Sequence, residues 1–135
     1  MSSIINASVA SNGIVSTADA SGILKVQSNG VTTNALAWIN FNGNSGGTTR
    51  ASYNVSSFVR NSAGYYTINF TNTLTDSNYS ITGTAGSGNA FGSYALVNRG
   101  AGTSTTTGSV SINTFITQTA SVSDVDTVCV AIFGN

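Results

Sequence analysis

Apolar and polar residues alternate with a period of two along most of this chain, and that alternation limits its fold more than any other feature. Residues 35–42, ALAWINFN, place Leu36, Trp38 and Asn40 on one face of a strand and Ala37, Ile39 and Phe41 on the other. Tyr66, Ile68 and Phe70 share a face in the same way. These runs are rich in Val, Ile, Tyr, Phe and Thr, side chains that suit a pleated, half-buried surface. Further strands are expected over 22–27, 51–60, 78–83, 93–98, 108–117 and 126–133, separated by Asn-Gly, Gly-Gly and Ser-Gly punctuation. About eight short strands at this spacing predict an all-β fold, an antiparallel β-sandwich or jelly roll.

Composition closes the helical alternative. The four acidic residues are all aspartates (Asp19, Asp76, Asp124, Asp126) and Lys25 is the one lysine, so long exposed helices have almost nothing to decorate them. Charged residues make up only 6% of the 135-residue chain, and Ser, Thr and Asn supply the polar surface instead. The first 34 residues contain short aliphatics and no aromatic, too little to close a core. The expected organisation is an arm over 1–34, used for oligomerisation or attachment, followed by a β-sandwich domain over 35–135.

Sheet edges sharpen this picture. Monomeric β proteins blunt their edges with Lys, Pro or inward charges, and this chain has one Lys and no Pro. Self-association about a symmetry axis, with the arm packed against its copies, covers such edges economically. A homo-oligomer is expected.

Several function classes drop out. Without histidine there is no Ser-His or Cys-His nucleophile, no His-ligated metal, and no imidazole base near neutral pH. A formal net charge of +0, with Lys25, Arg50, Arg60 and Arg99 scattered, builds no basic stripe for nucleic acid. No run approaches the roughly 18 apolar residues of a membrane helix, and MSSIINASVASNG lacks the basic and apolar regions of a signal peptide, so synthesis in a cytoplasm is expected. Cys129, alone in VDTVCVAIF, reads as a small hydrophobe packed in a strand. No cofactor is implied.

Candidate site residues are few. Asp124 and Asp126 in SDVDT would share one face of a strand, where Asn or carbonyl oxygens complete a calcium site. Without a D-x-D-x-D-G loop they read instead as solvated turn aspartates ahead of the last strand. Asp76 paired with Asp124 or Asp126 could formally supply the two carboxylates of a glycosidase, and so few acids argue against it. The N-x-S/T triplets at Asn6, Asn54, Asn69 and Asn78 match what the composition produces by chance. GSGNAFG (86–92) lacks the spacing and the Lys of a phosphate loop. Trp38, Tyr66 and Tyr79 read as core aromatics. The glycine-rich stretches 83–92 and 98–108 read as exposed loops, and in and beside them Asn89, Phe91, Tyr94 and Arg99 offer an amide, apolar rings and a charged donor suited to a sugar.

With those residues set out, the chain resembles the C-terminal domains of phage fibre proteins, especially those of marine and cyanobacterial phages, and of related viral structural proteins. Trp38-Ile39-Asn40-Phe41-Asn42-Gly43 is similar to that family's W-V-N-F-N-G opening, and Arg50-Ala51-Ser52-Tyr53-Asn54-Val55-Ser56-Ser57 to its R-x-S-[FY]-N-V-S-S. Gly64 with Tyr66-Thr67-Ile68-Asn69-Phe70 resembles G-x-Y-T-V-N-F, Asp76, Asn78 and Tyr79 fit D-x-N-Y, and Val128-Cys129-Val130-Ala131-Ile132-Phe133-Gly134 matches the closing strand. Residues 3–30 resemble, more weakly, the repeated segment ahead of such tips. The family usually carries Pro before the D-x-N-Y aspartate, where this chain has Thr75.

The resemblance implies a non-enzymatic virion component that assembles as a homotrimer. One expected role is a tail-fibre, receptor-binding tip contacting host-surface carbohydrate. The alternative is a capsid-decorating or tail-attached protein docked on other virion proteins through residues 1–34.

Overall fold

The computed structural model describes residues 22–29, 31–88, 94–98 and 104–134. Among them lie β1 (Gln27–Ser28), β2 (Val31–Thr32), β3 (Ala37–Phe41), β4 (Thr49–Tyr53), β5 (Val55–Ser62) and β6 (Tyr65–Phe70), then β7 (Ser80–Gly86), β8 (Tyr94–Asn98), β9 (Ser109–Ile116), β10 (Ser121–Val122) and β11 (Thr127–Phe133), with no helix among the described residues. One sheet runs β4-β3-β11-β7 and the other β10-β9-β6-β5, with β8 also paired to β9. Every pairing is antiparallel, and the two sheets pack as a β-sandwich, as the alternation predicts. β1 and β2 form a separate two-stranded ribbon.

The core is the inward half of each alternation. Ala37, Ile39 and Phe41 from β3 and Val128, Val130 and Ile132 from β11 face Tyr66, Ile68 and Phe70 from β6 and Val110 and Ile112 from β9. Phe41 ties the layers together, its ring centroid 4.2 Å from that of Phe58 and 5.2 Å, edge-on, from that of Tyr66. Each fully buried aliphatic or aromatic side chain here contributes about 1.5–3 kcal/mol.

Tyr66 and Tyr79 are buried, as expected, but Trp38 is 38% exposed. Trp38 shares a face with Asn40, and the opposite set of β3 meets the second sheet, so the indole points outward. Leu36 escapes this rule because it precedes the strand: its N–H donates to the Ile132 carbonyl and its side chain drops into the core. Cys129 does lie in a strand, but on the outward face of β11, half-buried and level with Asn40 and Thr84.

The single strand expected over 51–60 is two strands in different sheets. The break is Asn54, held at φ +52°. Its side-chain amide donates to the carbonyls of Leu36 and Asn72 and accepts from the Asn72 N–H, at 3.1, 3.2 and 2.8 Å, so one residue pins three segments where the chain changes sheets. Asparagine tolerates the left-handed region, which lets this corner form without glycine.

The sandwich has two distinct ends. The described residues between 22 and 34, from the segment read as an arm, lie against one of them: Ile23 joins the core, the Leu24 N–H donates to the Tyr53 hydroxyl, and Lys25 Nζ donates to Thr75 Oγ1. The turn at 104–108 closes the same end, the Tyr79 hydroxyl lying 3.0 and 2.9 Å from the carbonyls of Thr106 and Ser109. The opposite end carries the turns after β3, β5 and β9 and the segment between β10 and β11.

Candidate functional site

The end opposite residues 22–34 is organised around Asp124, in the segment between β10 and β11. Arg60 on β5 donates Nε to both carboxylate oxygens, at 3.0 and 2.9 Å, and Nη2 to Oδ2 at 2.7 Å. The Gly64 N–H, from the turn between β5 and β6, donates to Oδ1 at 2.8 Å. The Tyr66 hydroxyl lies 2.9 Å from Oδ1 and 2.9 Å from the Gly43 carbonyl. A charge-assisted fork with a backbone donor thus joins β5, β6, the turn after β3 and the approach to β11.

Expected as a solvated turn residue, Asp124 is instead a structural anchor whose side chain is 19% exposed. Desolvation alone would push its carboxyl pKa up. The hydrogen bonds from Arg60, Gly64 and Tyr66 and the Arg60 charge outweigh it and hold the carboxyl below the ordinary 3.8. Burial, reinforced by the adjacent carboxylate, pushes the Tyr66 phenol up to about 12.

Asp124 and Asp126 do not share a strand face. Asp126 accepts from the Gly88 N–H at 3.2 and 3.0 Å, and its carbonyl accepts from Arg50 Nη2. Asp76 accepts from the Asn78 N–H at the other end of the sandwich, so it forms no catalytic pair with either.

The expected sugar-contacting set is divided. Asn89, Phe91 and Arg99 lie outside the described residues. Tyr94 is half-buried and packs against the core. Parts of the two stretches read as loops are ordered sheet or turn. β7 extends to Gly86, so its glycines 83 and 86 are sheet residues. Residues 104–108 form a bonded turn, Thr106 Oγ1 accepting from the N–H groups of Gly108 and Ser109. Of the described residues in these stretches, Gly88 is tied to Asp126 at one end of the sandwich and the 104–108 turn lies at the other.

A groove missed by the sequence reading crosses the outward face of β3, β11 and β7. Its volume is about 420 Å³, and Trp38, Asn40, Thr82, Thr84, Cys129 and Ala131 line it. Cross-strand register builds it: Ala131 sits between Trp38 and Thr82, and Cys129 between Asn40 and Thr84, so small side chains form a floor beside the indole. Arg50 Nη1 donates to Asn40 Oδ1 at 3.1 Å, which fixes the Asn40 amide with its oxygen toward the guanidinium. The signal available in the sequence was the parity of Trp38 with Asn40 rather than with Phe41.

No protein-family model, no curated protein and no solved structure matches this chain.

Proposed function

We propose that this chain is a non-enzymatic virion protein, the tip of a phage tail fibre, which assembles as a homotrimer and touches host-surface glycans with the end of the sandwich remote from residues 22–34. The observation that carries this reading is the polarity of the domain. Residues 22–34 lie against one end, beside Asn72 and Thr75, while Gly88 and the turns around Asp124 occupy the other. A chain held to a particle through its N-terminal segment would present that second end outward. The neutral, hydroxyl- and amide-rich surface and the resemblance of the Trp38–Gly43, Arg50–Ser57 and Tyr66–Phe70 segments to fibre tips support the same role. In this reading residues 1–34 contact the other virion proteins, and Asn89 and Phe91, in the segment between β7 and β8, contact carbohydrate. Three symmetric copies convert weak single-site contacts into avidity.

Adsorption of virions to host cells tests it. Phe91→Ala, in protein whose circular dichroism and mass match wild type, should lower adsorption severalfold while leaving the protein on the particle. Unchanged adsorption, together with loss of the protein from particles when residues 1–20 are deleted, would replace the tip reading with capsid decoration.

A further inference from the structure

We infer that the outward face of the β4-β3-β11-β7 sheet is the surface through which copies of this chain pack together, a second copy covering Trp38 and Cys129. The inference rests on the self-association in the proposed function and assigns it to one face.

The two outward faces of the sandwich differ in chemistry although their strands pair alike. On the β9-β6-β5 face most of the polar side chains bond one another: Thr67 Oγ1 lies 3.3 Å from Ser111 Oγ, Asn61 Nδ2 donates to Thr67 Oγ1, and Asn69 Nδ2 donates to Ser57 Oγ, while Asn113 Oδ1 on β9 is buried without a partner. Val59 is the one large exposed hydrophobe there among the described residues. The other face carries Trp38 and, by register with Cys129 and Ala131, Phe133, which are 38% and 37% exposed. The apolar strip continues beyond the sheet. Tyr53 pairs with Trp38 across β3 and β4, and its hydroxyl accepts from the N–H of Leu24, itself exposed next to exposed Val26. Four of the five large exposed hydrophobes among the described residues (Leu24, Val26, Trp38 and Phe133) therefore belong to this sheet face or to the segment attached at its edge.

Charge and shape favour a copy of the same chain over an unlike partner. None of the groove-lining side chains is charged, and the charge nearest them, Arg50 on the edge strand β4, is bonded to Asn40 Oδ1 and to the carbonyls of Phe41 and Asp126, so like-charge repulsion between identical faces is confined to that edge. β7 and β11 are seven residues long and β3 and β4 five, so at about 4.8 Å per strand and 3.3 Å per residue the face covers roughly 380 Å², within the range of the largest patches on soluble proteins, which are often functional. The groove beside Trp38 leaves room for an apolar side chain of the neighbour to enter above Ala131 and Cys129.

The chain's single tryptophan and single cysteine both lie on this face, so the test needs no added probe. Light scattering on the full chain at tens of micromolar is run for wild type, Trp38→Arg, Thr82→Arg and Val59→Arg, with circular dichroism checking the fold. In parallel, the reaction of native wild-type Cys129 with a thiol reagent is timed across a dilution series. Wild type and Val59→Arg should show about three times the 13.7 kDa protomer mass, and the two variants in the groove should fall toward one. Cys129 should react at least about tenfold more slowly in the assembled state than at high dilution. Groove variants that keep the wild-type mass, or a Cys129 rate independent of dilution in a multimeric wild type, would overturn this face while leaving the homotrimer intact. A wild type that is monomeric throughout would overturn both, and Trp38 emission that then shifted with neutral saccharide would reassign the groove to sugar.

Discussion

The Tyr66 hydroxyl stands 2.9 Å from Asp124 Oδ1, and these two residues, 58 positions apart, fasten the end of the sandwich that residues 22–34 leave open. Removing that oxygen leaves the Gly43 carbonyl and Asp124 each short of a neighbour, while the ring and its contact with Phe41 remain. Tyr66→Phe is expected to cost about 1–2 kcal/mol, read as a lower urea midpoint with an unchanged slope. An equal midpoint would mean that Arg60 and Gly64 alone hold the carboxylate.

Acid should weaken the protein through the same carboxylate. Asp124 has a folded pKa below its ordinary 3.8, so as pH falls the unfolded chain takes up the proton first. Its contribution is fully present above about pH 5 and is lost as pH drops through the folded value. A pH series of urea midpoints should slope downward below about pH 5, and Asp124→Asn, less stable at neutral pH, should show a shallower slope. Parallel slopes in the two proteins would locate the acid sensitivity elsewhere.

Alkali acts through the two buried phenols. Tyr66 and Tyr79 are both raised from 10.0 to about 12, chiefly by burial, so above pH 10 the unfolded chain releases protons that the folded chain retains. Stability contributed by each is present below pH 10 and is lost between about pH 10 and 12, amounting at most to roughly 3 kcal/mol per residue. Tyrosinate absorbance should therefore rise in two stages, the later one coinciding with loss of the β-sheet circular dichroism signal. Tyr79→Phe should reduce the amplitude of that later stage.

Two glycines separate backbone strain from steric clash. Gly64 and Gly46 have φ of +69° and +76°, yet a Cβ on Gly64 would sit 2.6 Å from the Ser123 nitrogen, whereas one on Gly46 meets nothing within 4 Å. Gly46→Ala should cost only the left-handed penalty, about 1 kcal/mol. Gly64→Ala should cost clearly more, because Ser123 and the neighbouring Asp124 must move. Equal thermal shifts would show that this turn yields without resistance.

Asn54 makes a last case. Asn54→Gly keeps the left-handed backbone accessible but deletes three hydrogen bonds, and Asn54→Ala loses both. Stability should fall by about 1–3 kcal/mol for glycine and further for alanine. Recovery of wild-type stability by glycine would show that conformation, not hydrogen bonding, makes this corner.

How much of this was readable in advance follows from what each feature depends on. β3, β6, β9 and β11 were legible because alternation is a property of neighbouring residues. Which half of an alternation faces inward is not local: Trp38 is the bulkiest residue of its run, yet the Ala37, Ile39 and Phe41 side meets the other sheet. β10 is two residues long and carries no pattern. The Asp124 anchor depends on Arg60, 64 positions away, on the Gly64 N–H and on the Tyr66 hydroxyl, none of which the SDVDT run announces. Asn54 offered a faint cue, an asparagine interrupting an alternating run, but without glycine or proline beside it the break stayed hidden.

β11 follows all the other described strands in the sequence, yet it lies between β3 and β7 in its sheet. A nascent chain has therefore left the ribosome through the other described strands before the piece that unites that sheet exists. Termination upstream of Thr127 would leave β3 with β4 on one side and β7 on the other, an open wound along the core rather than a smaller domain. Completion of the fold thus doubles as an inspection step. Only a polypeptide translated through β11 can offer a finished surface on this sheet, so products stopped before Thr127 are barred from any assembly built on it.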